Sequence, residues 1–185
     1  GRELAAQLVA DGVVLAQPEP VQQVTSLAVV NLDAHGHPDY AFYREGVADR
    51  AVSAAGLGDS CAALPALQLV CTGALALDAR DTAIYLPWLA AQRAAGRCVV
   101  VDANLRPSVM PDLAAYRTTV HAALAHAHII KASDEDLEHL AVPGVDALAR
   151  AQHLLAANPQ AYLLALTLGA EGAWLLHRNG VQLSL

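Results

Sequence analysis

Aromatic residues and positive charge are both scarce in this sequence of 185 residues. Aromatics make up 4%, so Ala, Leu and Val must fill the core, and a hydrophobic content of 55% argues against disorder. Lys and Arg together number 11 against 18 Asp and Glu, and Lys131 is the single lysine. The net charge of −7 argues against a general nucleic-acid or anionic-membrane surface, although a local basic pocket could still bind phosphate.

Long apolar runs and cysteines are also few. No apolar run approaches the ~20 residues that a membrane span requires, and the first residues carry acids where a signal peptide would be apolar. The three cysteines form no C-x-x-C pair, and Cys71 and Cys98 lie in apolar runs of strand length. We therefore expect buried free thiols, a reducing cytoplasmic location and no membrane partner.

The first third of the chain predicts a helix and a separate β element. Apolar residues at helical spacing over residues 2–10 predict a short amphipathic helix that Gly12 can end. Residues 24–32 and 40–43 are rich in β-branched and aromatic residues, and turn-forming residues 33–38 separate them. This pattern is typical of a β-hairpin.

From residue 67 onward, apolar segments of strand length alternate with helical patterns. The predicted strands are 67–71, 98–101, 128–131 and 162–167, and the predicted helices are 82–95, 113–127, 134–140 and 146–157. Strands that are apolar throughout predict a mostly parallel α/β sheet with helices on both faces. Residues 173–177 then predict an antiparallel strand at the edge of the sheet. We expect one α/β domain over residues 1–185, with a small β lid inserted at about 12–49.

The strongest local signal is Asp102-Ala103-Asn104-Leu105-Arg106-Pro107, directly after a predicted buried strand. Ligands bind beyond the carboxyl ends of such strands, and the planar fork of Arg106 suits a phosphate or a carboxylate. An ordinary strand-to-helix turn, with Asp102 accepting from backbone amides and Pro107 opening a helix, explains the same residues. Physical chemistry alone leaves these two interpretations equal.

Two further turns follow strands in the same way. Residues 131–136, Lys-Ala-Ser-Asp-Glu-Asp, contain a capping box of Ser133 and Asp136, which by itself accounts for their presence. Residues 167–172, Thr-Leu-Gly-Ala-Glu-Gly, have two glycines that allow a tight turn, a weak signal for phosphate binding. A glycine-rich stretch at residues 56–59 has no strand before it, so we interpret it as a surface loop.

The order and spacing of these stretches resemble the ribokinase-like, or phosphofructokinase-B, family of carbohydrate kinases. The match comprises Phe42-Tyr43-Arg44 with Ala48-Asp49, the D-x-N-x-R-P turn at 102–107 and the T-L-G-x-x-G turn at 167–172. The family's K-x-S-x-E-E stretch corresponds to residues 131–136, where the last residue is Asp and not Glu. The resemblance is closest to fructokinases and 2-keto-3-deoxygluconate kinases and covers nearly the whole chain. It implies a ribokinase-like α/β fold that uses ATP and Mg²⁺.

The resemblance also implies roles for individual residues on the sugar side. Tyr43 and Arg44 correspond to lid residues that contact the sugar. Asn104 and Arg106 correspond to residues that face the substrate, and Arg106 also faces the transferred phosphoryl group. The family's catalytic aspartate lies in a G-A-G-D stretch downstream of the T-L-G turn. We therefore expect the catalytic base, like the family's opening strand, to lie outside these 185 residues.

The nucleotide side is implied in the same way. Lys131 and Ser133 correspond to nucleotide-binding positions, and Asp136 to the acid that organises magnesium through water. Aspartate stands here where the family has glutamate, so the carboxylate reaches about one methylene less far. The family's adenine-nucleotide loop corresponds to Thr167, Gly169 and Gly172.

These expectations combine into a kinase that transfers a phosphoryl group from ATP to a hydroxyl of a ketose or keto-sugar acid. Fructose and 2-keto-3-deoxygluconate both stay open, because Arg44 and Arg106 suit a carboxylate whereas Asn104 suits a neutral sugar. Two alternatives remain: a truncated, non-catalytic module that binds sugar or nucleotide, and an unrelated nucleotide-binding α/β domain. A homodimer through the lid strands is a further hypothesis, because a small β flap leaves an edge unpaired.

Overall fold

The computed structural model describes residues 1–32 and 38–184. Two compact units are present, Gly1–Pro65 and Ala66–Leu185. No helix among the described residues is long and apolar enough to cross a membrane.

The first unit begins with the predicted helix, α1 (Arg2–Ala10). Asp11 is its C-cap, and Gly12 follows with a φ of +82°, the left-handed conformation that glycine adopts without strain. The Gly12 amide donates to the carbonyl of Val9 and the Val13 amide donates to that of Leu8, which satisfies the last carbonyls of the helix. The predicted helix and its end are both confirmed.

The predicted hairpin strands are β1 (Leu27–Leu32) and β2 (Pro38–Tyr43). They pair antiparallel, with Leu27 opposite Tyr43, which confirms the pairing. The predicted connection between them falls largely on residues 33–37, outside the described residues. Every residue of β1 is exposed, so this strand buries neither of its faces.

Residues 56–59, expected to be a surface loop, lie instead in helix α2 (Ala54–Ala62). Glycine costs about 1 kcal/mol in a helix interior, which is why the sequence favours a loop. Two other features oppose that cost: the Ser53 hydroxyl accepts from the Gly56 amide at 3.0 Å, and Cys61 is buried. The loop prediction is wrong because capping and burial outweigh local propensity.

The second unit is built on a six-stranded sheet in the order β3-β4-β5-β6-β7-β8. Its strands are β3 (Leu69–Gly73), β4 (Cys98–Asp102), β5 (Ile129–Ser133), β6 (Leu163–Thr167), β7 (Ala173–His177) and β8 (Gln182–Ser184). Strands β3 to β6 pair in parallel, and β7 and β8 are antiparallel. The mostly parallel sheet and the antiparallel strand after β6 are confirmed. That strand does not lie at the edge of the sheet as predicted, because β8, which was not predicted, pairs on its outer side.

Four helices accompany this sheet, all within two or three residues of their predicted bounds. They are α3 (Thr82–Ala94), α4 (Leu113–Leu124), α5 (Asp134–His139) and α6 (Ala147–Ala157). Helices α4, α5 and α6 each have an N-cap residue whose side chain accepts a hydrogen bond from a backbone amide of the first turn. These residues are Asp112, Ser133 and Asp146. These caps satisfy amides that have no partner inside the helix, so they fix where each helix starts.

The two faces of the sheet are not buried equally. Alternate residues of β4, β5 and β6, including Val99, Ile130 and Leu164, are fully buried, while their neighbours are only half-buried. One face of the sheet is therefore covered more completely than the other. The half-buried face is the one that carries the polar residues at the strand ends.

The exposure of two cysteines is explained by this difference between the two faces of the sheet. Cys71 is exposed and Cys98 is half-buried, so the expectation that both are buried is wrong. Both lie on the less covered face, and Cys71 lies on β3, an edge strand among the described residues. Cys61 is the buried thiol, and no disulfide links the three cysteines.

Candidate active site

The three predicted turns lie at one rim of the second unit. Strands β4, β5 and β6 are neighbours and parallel, so their carboxyl ends meet at the same edge. Asp102 pairs with Lys131 in the sheet register, and Ser133 pairs with Thr167. The structure therefore brings residues 102–107, 131–136 and 167–172 together, as their positions in the sequence predict.

The turn after β4 is held by buried residues on both sides of Asn104. The Ala103 amide donates to the Lys131 carbonyl at 2.9 Å, and the Ala103 and Leu105 side chains are 0% and 2% exposed. Asn104 has a φ of +35°, at the edge of the left-handed region, where asparagine is the residue tolerated best after glycine. Such strain occurs most often where a side chain must be aimed at a ligand.

Arg106 is exposed at the end of this turn. Its Nη1 donates to the carbonyl of Leu105 at 2.8 Å and approaches the carbonyl of Asn104 at 3.4 Å. Its Nε and Nη2 donate to no other described residue, so one edge of the guanidinium fork can still bind an anion. This geometry fits the predicted contact with a phosphate or a carboxylate.

The predicted capping box at the start of α5 is confirmed. The Ser133 hydroxyl accepts from the Asp136 amide at 3.0 Å, and Asp136 Oδ2 accepts from the Ser133 amide at 2.8 Å. Asp136 Oδ1 accepts from the Leu105 amide at 2.6 Å, and the residue is only 3% exposed. Each carboxylate oxygen of Asp136 thus accepts from a backbone amide. The sequence predicts the contact with Ser133, but it did not reveal the contact with Leu105 in the neighbouring turn.

Lys131 and Asp102 form an ion pair across the two strands. Lys131 Nζ lies 3.2 Å from Asp102 Oδ1, and each side chain is about one third exposed (33% and 36%). A pair with side chains this exposed contributes ~1 kcal/mol or less. Asp102 Oδ1 itself is inaccessible to water and accepts no hydrogen bond from the described residues, so Lys131 is the cation that compensates it. Desolvation, and after it the negative charge of Asp102, raise the pKa of the Cys71 thiol. Both effects disfavour the thiolate, which is the reactive form of cysteine.

The turn after β6 adopts the conformation for which its glycines are suited. Gly169 and Gly172 have φ of +57° and +91°, and the Leu168 amide donates to the carbonyl of Gly172 at 2.9 Å to close the turn. A Cβ on Gly169 would meet nothing within 4 Å, so backbone conformation and not crowding favours glycine there. Thr167 is half-buried at the strand end beside Ser133.

The predicted lid residues, Tyr43 and Arg44, belong to the first unit. Tyr43 is 62% exposed, whereas Arg44 is 7% exposed. Arg44 Nη2 lies 2.7 Å and its Nε 3.1 Å from Asp49 Oδ2. Two nitrogens of the Arg44 guanidinium therefore donate to the same carboxylate oxygen of Asp49. This contact is a structural reason for the spacing between Arg44 and Ala48-Asp49, and the sequence did not reveal it.

Gly73 is a site residue that sequence reasoning missed. It ends β3 opposite Asp102, and a Cβ built on it would lie 1.9 Å from the Asp102 carbonyl oxygen. Only glycine permits this approach of two backbones at the base of the Asp102–Pro107 turn. A glycine two residues after the predicted strand 67–71 was the available signal, because glycines in and next to strands can mark close backbone contacts.

Comparison with known proteins agrees with this geometry. The sequence model described as pfkB family carbohydrate kinase matches residues 1–184. This chain belongs to the pfkB family. Among curated relatives, a fructokinase from Rhizobium leguminosarum bv. trifolii is 36% identical over 152 residues, which cover 80% of this chain and 44% of that protein.

Solved structures of the family give the same result for the fold. The fructokinase from Xylella fastidiosa superimposes with a TM-score of 0.80 at 26% identity and covers 100% of this chain and 58% of that one. A second structure, described as that fructokinase with bound ATP, has a TM-score of 0.80 at 25% identity and covers 99% and 56%. The ribokinase-like α/β fold is therefore confirmed. The chain spans about half the length of the relatives that it matches.

Proposed function

We propose that this pfkB-family chain serves ATP-dependent transfer of a phosphoryl group to a hydroxyl of a sugar, with fructose as the leading substrate. The observation that supports this most is the shared rim on which the open edge of Arg106, the Lys131–Asp102 pair and the glycine turn at 169–172 lie together. The relatives named fructokinase favour fructose. None of the relatives reported above is named for 2-keto-3-deoxygluconate, which was the other substrate expected.

Arg106 and Asn104 would bind on the sugar side of this rim. The unused edge of the Arg106 fork would bind the transferred phosphoryl group and neutralise the charge that develops on it, and Asn104 would donate and accept hydrogen bonds with sugar hydroxyls. Tyr43 and Arg44 would act from the lid. Arg44 would contact the sugar while its guanidinium remains paired with Asp49.

The nucleotide side would use Lys131, Ser133 and the turn at 167–172. Lys131 offers a point charge for phosphate, and the turn between Thr167 and Gly172 offers the exposed backbone of Gly169. Magnesium, when bound, neutralises the phosphate oxygens during transfer. The prediction that Asp136 organises this ion through water remains a prediction, and the contacts of Asp136 also support another role, argued below.

A reducing cytoplasmic location is also proposed. No disulfide links Cys61, Cys71 and Cys98, and Cys71 is exposed. An exposed thiol persists most readily in a reducing compartment.

A direct assay tests the proposed reaction. The protein expressed from its whole gene is mixed with ATP, Mg²⁺ and fructose, and ADP release and fructose phosphate are measured beside ribose and 2-keto-3-deoxygluconate. We expect kcat/KM to be highest for fructose. Residues 1–185 alone serve as a comparison, and a non-catalytic module would bind ligand in calorimetry without turnover in either form. Absence of phosphorylation of every sugar would overturn the proposal.

Dimerisation through β1 and β2 is the second part of the proposal. Four apolar residues of β1 are 40–69% exposed and lie on both faces of the strand: Leu27, Val29, Val30 and Leu32. Exposed apolar side chains of this kind favour a protein–protein contact. We expect light scattering to give twice the monomer mass, and Val30→Asp to give the monomer mass. Val145→Asp is the matched control, because Val145 is 95% exposed in the other unit. A monomeric wild type would contradict this part.

A further inference from the structure

Asp136 joins two segments of the chain that contain different parts of the candidate site. Its Oδ1 accepts from the Leu105 amide at 2.6 Å, in the turn after β4, and its Oδ2 accepts from the Ser133 amide at 2.8 Å, at the end of β5. The carboxylate is almost inaccessible to water, because the residue is 3% exposed. Charged acceptors form stronger hydrogen bonds than neutral ones, and burial increases the cost of losing them.

Leu105 is the anchor of its turn. Its side chain is 2% exposed and its amide is bound by Asp136, so both the side chain and the backbone of this residue are fixed. The two residues beside it, Asn104 and Arg106, are those proposed to face the sugar and the phosphoryl group. Asn104 has a φ of +35°, and Arg106 donates to the Leu105 carbonyl, so the orientations of both depend on where Leu105 is held.

The other end of the contact reaches the nucleotide side. Ser133 donates its amide to Asp136 and accepts from the Asp136 amide, and it pairs with Thr167 in the sheet. A single carboxylate therefore connects the turn of Arg106 to the end of β5, which pairs with the end of β6, where the glycine turn begins.

We propose that Asp136 is a positioning residue, which fixes the turn bearing Asn104 and Arg106 relative to the nucleotide side through its hydrogen bond to the Leu105 amide. This inference rests on the proposed sugar kinase activity for its kinetic consequences, but the contact itself can be measured without activity. A positioning role differs from the magnesium role implied by family resemblance. The first predicts a change in sugar binding and turnover, and the second predicts a change in magnesium dependence.

Asp136→Asn is the sharpest substitution because it preserves shape. An amide group has one acceptor oxygen and one NH₂, so at one of the two backbone amides a donor would face a donor. In amide hydrogen exchange of the protein expressed from its whole gene, we expect protection of the Leu105 or Ser133 amide to fall about tenfold or more. Protection of the buried strand residue Val99 should be retained, which shows that the fold persists.

Kinetics on the same variant separate the two roles. We expect Asp136→Asn to raise the KM for fructose and to lower kcat/KM about tenfold or more, with the Mg²⁺ concentration for half-maximal activity unchanged. Asp134→Asn is the matched control, because it removes the same charge from an exposed position in the same first turn of α5. It should leave exchange at Leu105, the KM and the Mg²⁺ midpoint close to those of the wild type.

The outcomes that overturn the proposal are distinct. Unchanged exchange at both Leu105 and Ser133 would overturn it even if no sugar were phosphorylated, a result that would count separately against the proposed function. A shifted Mg²⁺ midpoint with unchanged KM would overturn it in favour of the magnesium role. If Asp136→Asn does not fold, Asp136→Glu keeps both acceptors on a longer arm. It should lower Leu105 protection without moving the Mg²⁺ midpoint, and unchanged protection would overturn the proposal.

Discussion

Arg106→Ala is expected to lower kcat for fructose phosphorylation about 10²–10³-fold while leaving the protein folded. The guanidinium is exposed, and its Nε and Nη2 donate to no other described residue, so its proposed contribution is to the charge that develops on the phosphoryl group. Loss of that contact reduces kcat more than it raises the KM for either substrate. Steady-state kinetics with ATP and fructose varied in turn measure this difference.

Arg106→Lys is the matched variant for this prediction. Lysine keeps the positive charge and loses the planar fork, so we expect it to recover only part of the lost rate. The thermal midpoint should change little in both variants, because an exposed side chain usually contributes within about 0.5 kcal/mol to stability. A kcat for Arg106→Ala within threefold of the wild type would remove Arg106 from the proposed reaction.

Gly73→Ala is expected to destabilise the second unit strongly. The added Cβ would lie 1.9 Å from the carbonyl oxygen of Asp102 and 2.8 Å from its carbonyl carbon, both backbone atoms. Gly73 has φ of 165°, which is ordinary extended backbone, so the cost is steric. Relief requires β3 and β4 to separate at their carboxyl ends. We expect the free energy of unfolding to fall by about 3 kcal/mol or more, with activity falling as well, in urea titrations and in the sugar assay.

Gly58→Ala is the control, and it is expected to raise the free energy of unfolding where Gly73→Ala lowers it. Gly58 lies inside α2, and a Cβ there would meet nothing within 4 Å. Alanine in that position should stabilise the protein by about 0.5–1 kcal/mol. A Gly73→Ala protein as stable as the wild type would contradict the close approach of β3 to the Asp102 carbonyl.

The sequence contained enough information for the parallel sheet and for the rim. The strands ending at Gly73, Asp102, Ser133 and Thr167 are local apolar runs, and the rule that parallel strands end together converts their order into a shared edge. The capping box of Ser133 and Asp136 was predictable for the same reason, because both partners lie in one helical turn.

The contacts that were missed join residues distant in sequence or depend on burial. No local pattern indicates that Asp136 reaches the amide of Leu105, 31 residues earlier, or that Gly73 touches Asp102. The exposure of Cys71 depends on which face of the sheet is covered, and an apolar run looks the same in both cases. Helix α2 forms although Gly56 and Gly58 have low helix propensity, because Ser53 caps it and Cys61 is buried. Intrinsic helix propensity includes neither of these two contributions.

The ion pair of Lys131 with Asp102 has a practical consequence, because these 185 residues contain one lysine. An amine-directed fluorophore or cross-linker can modify no other side chain of this chain, apart from a free amino terminus. With about one third of the Lys131 side chain accessible, such a reagent would place a single optical reporter directly at the candidate active site.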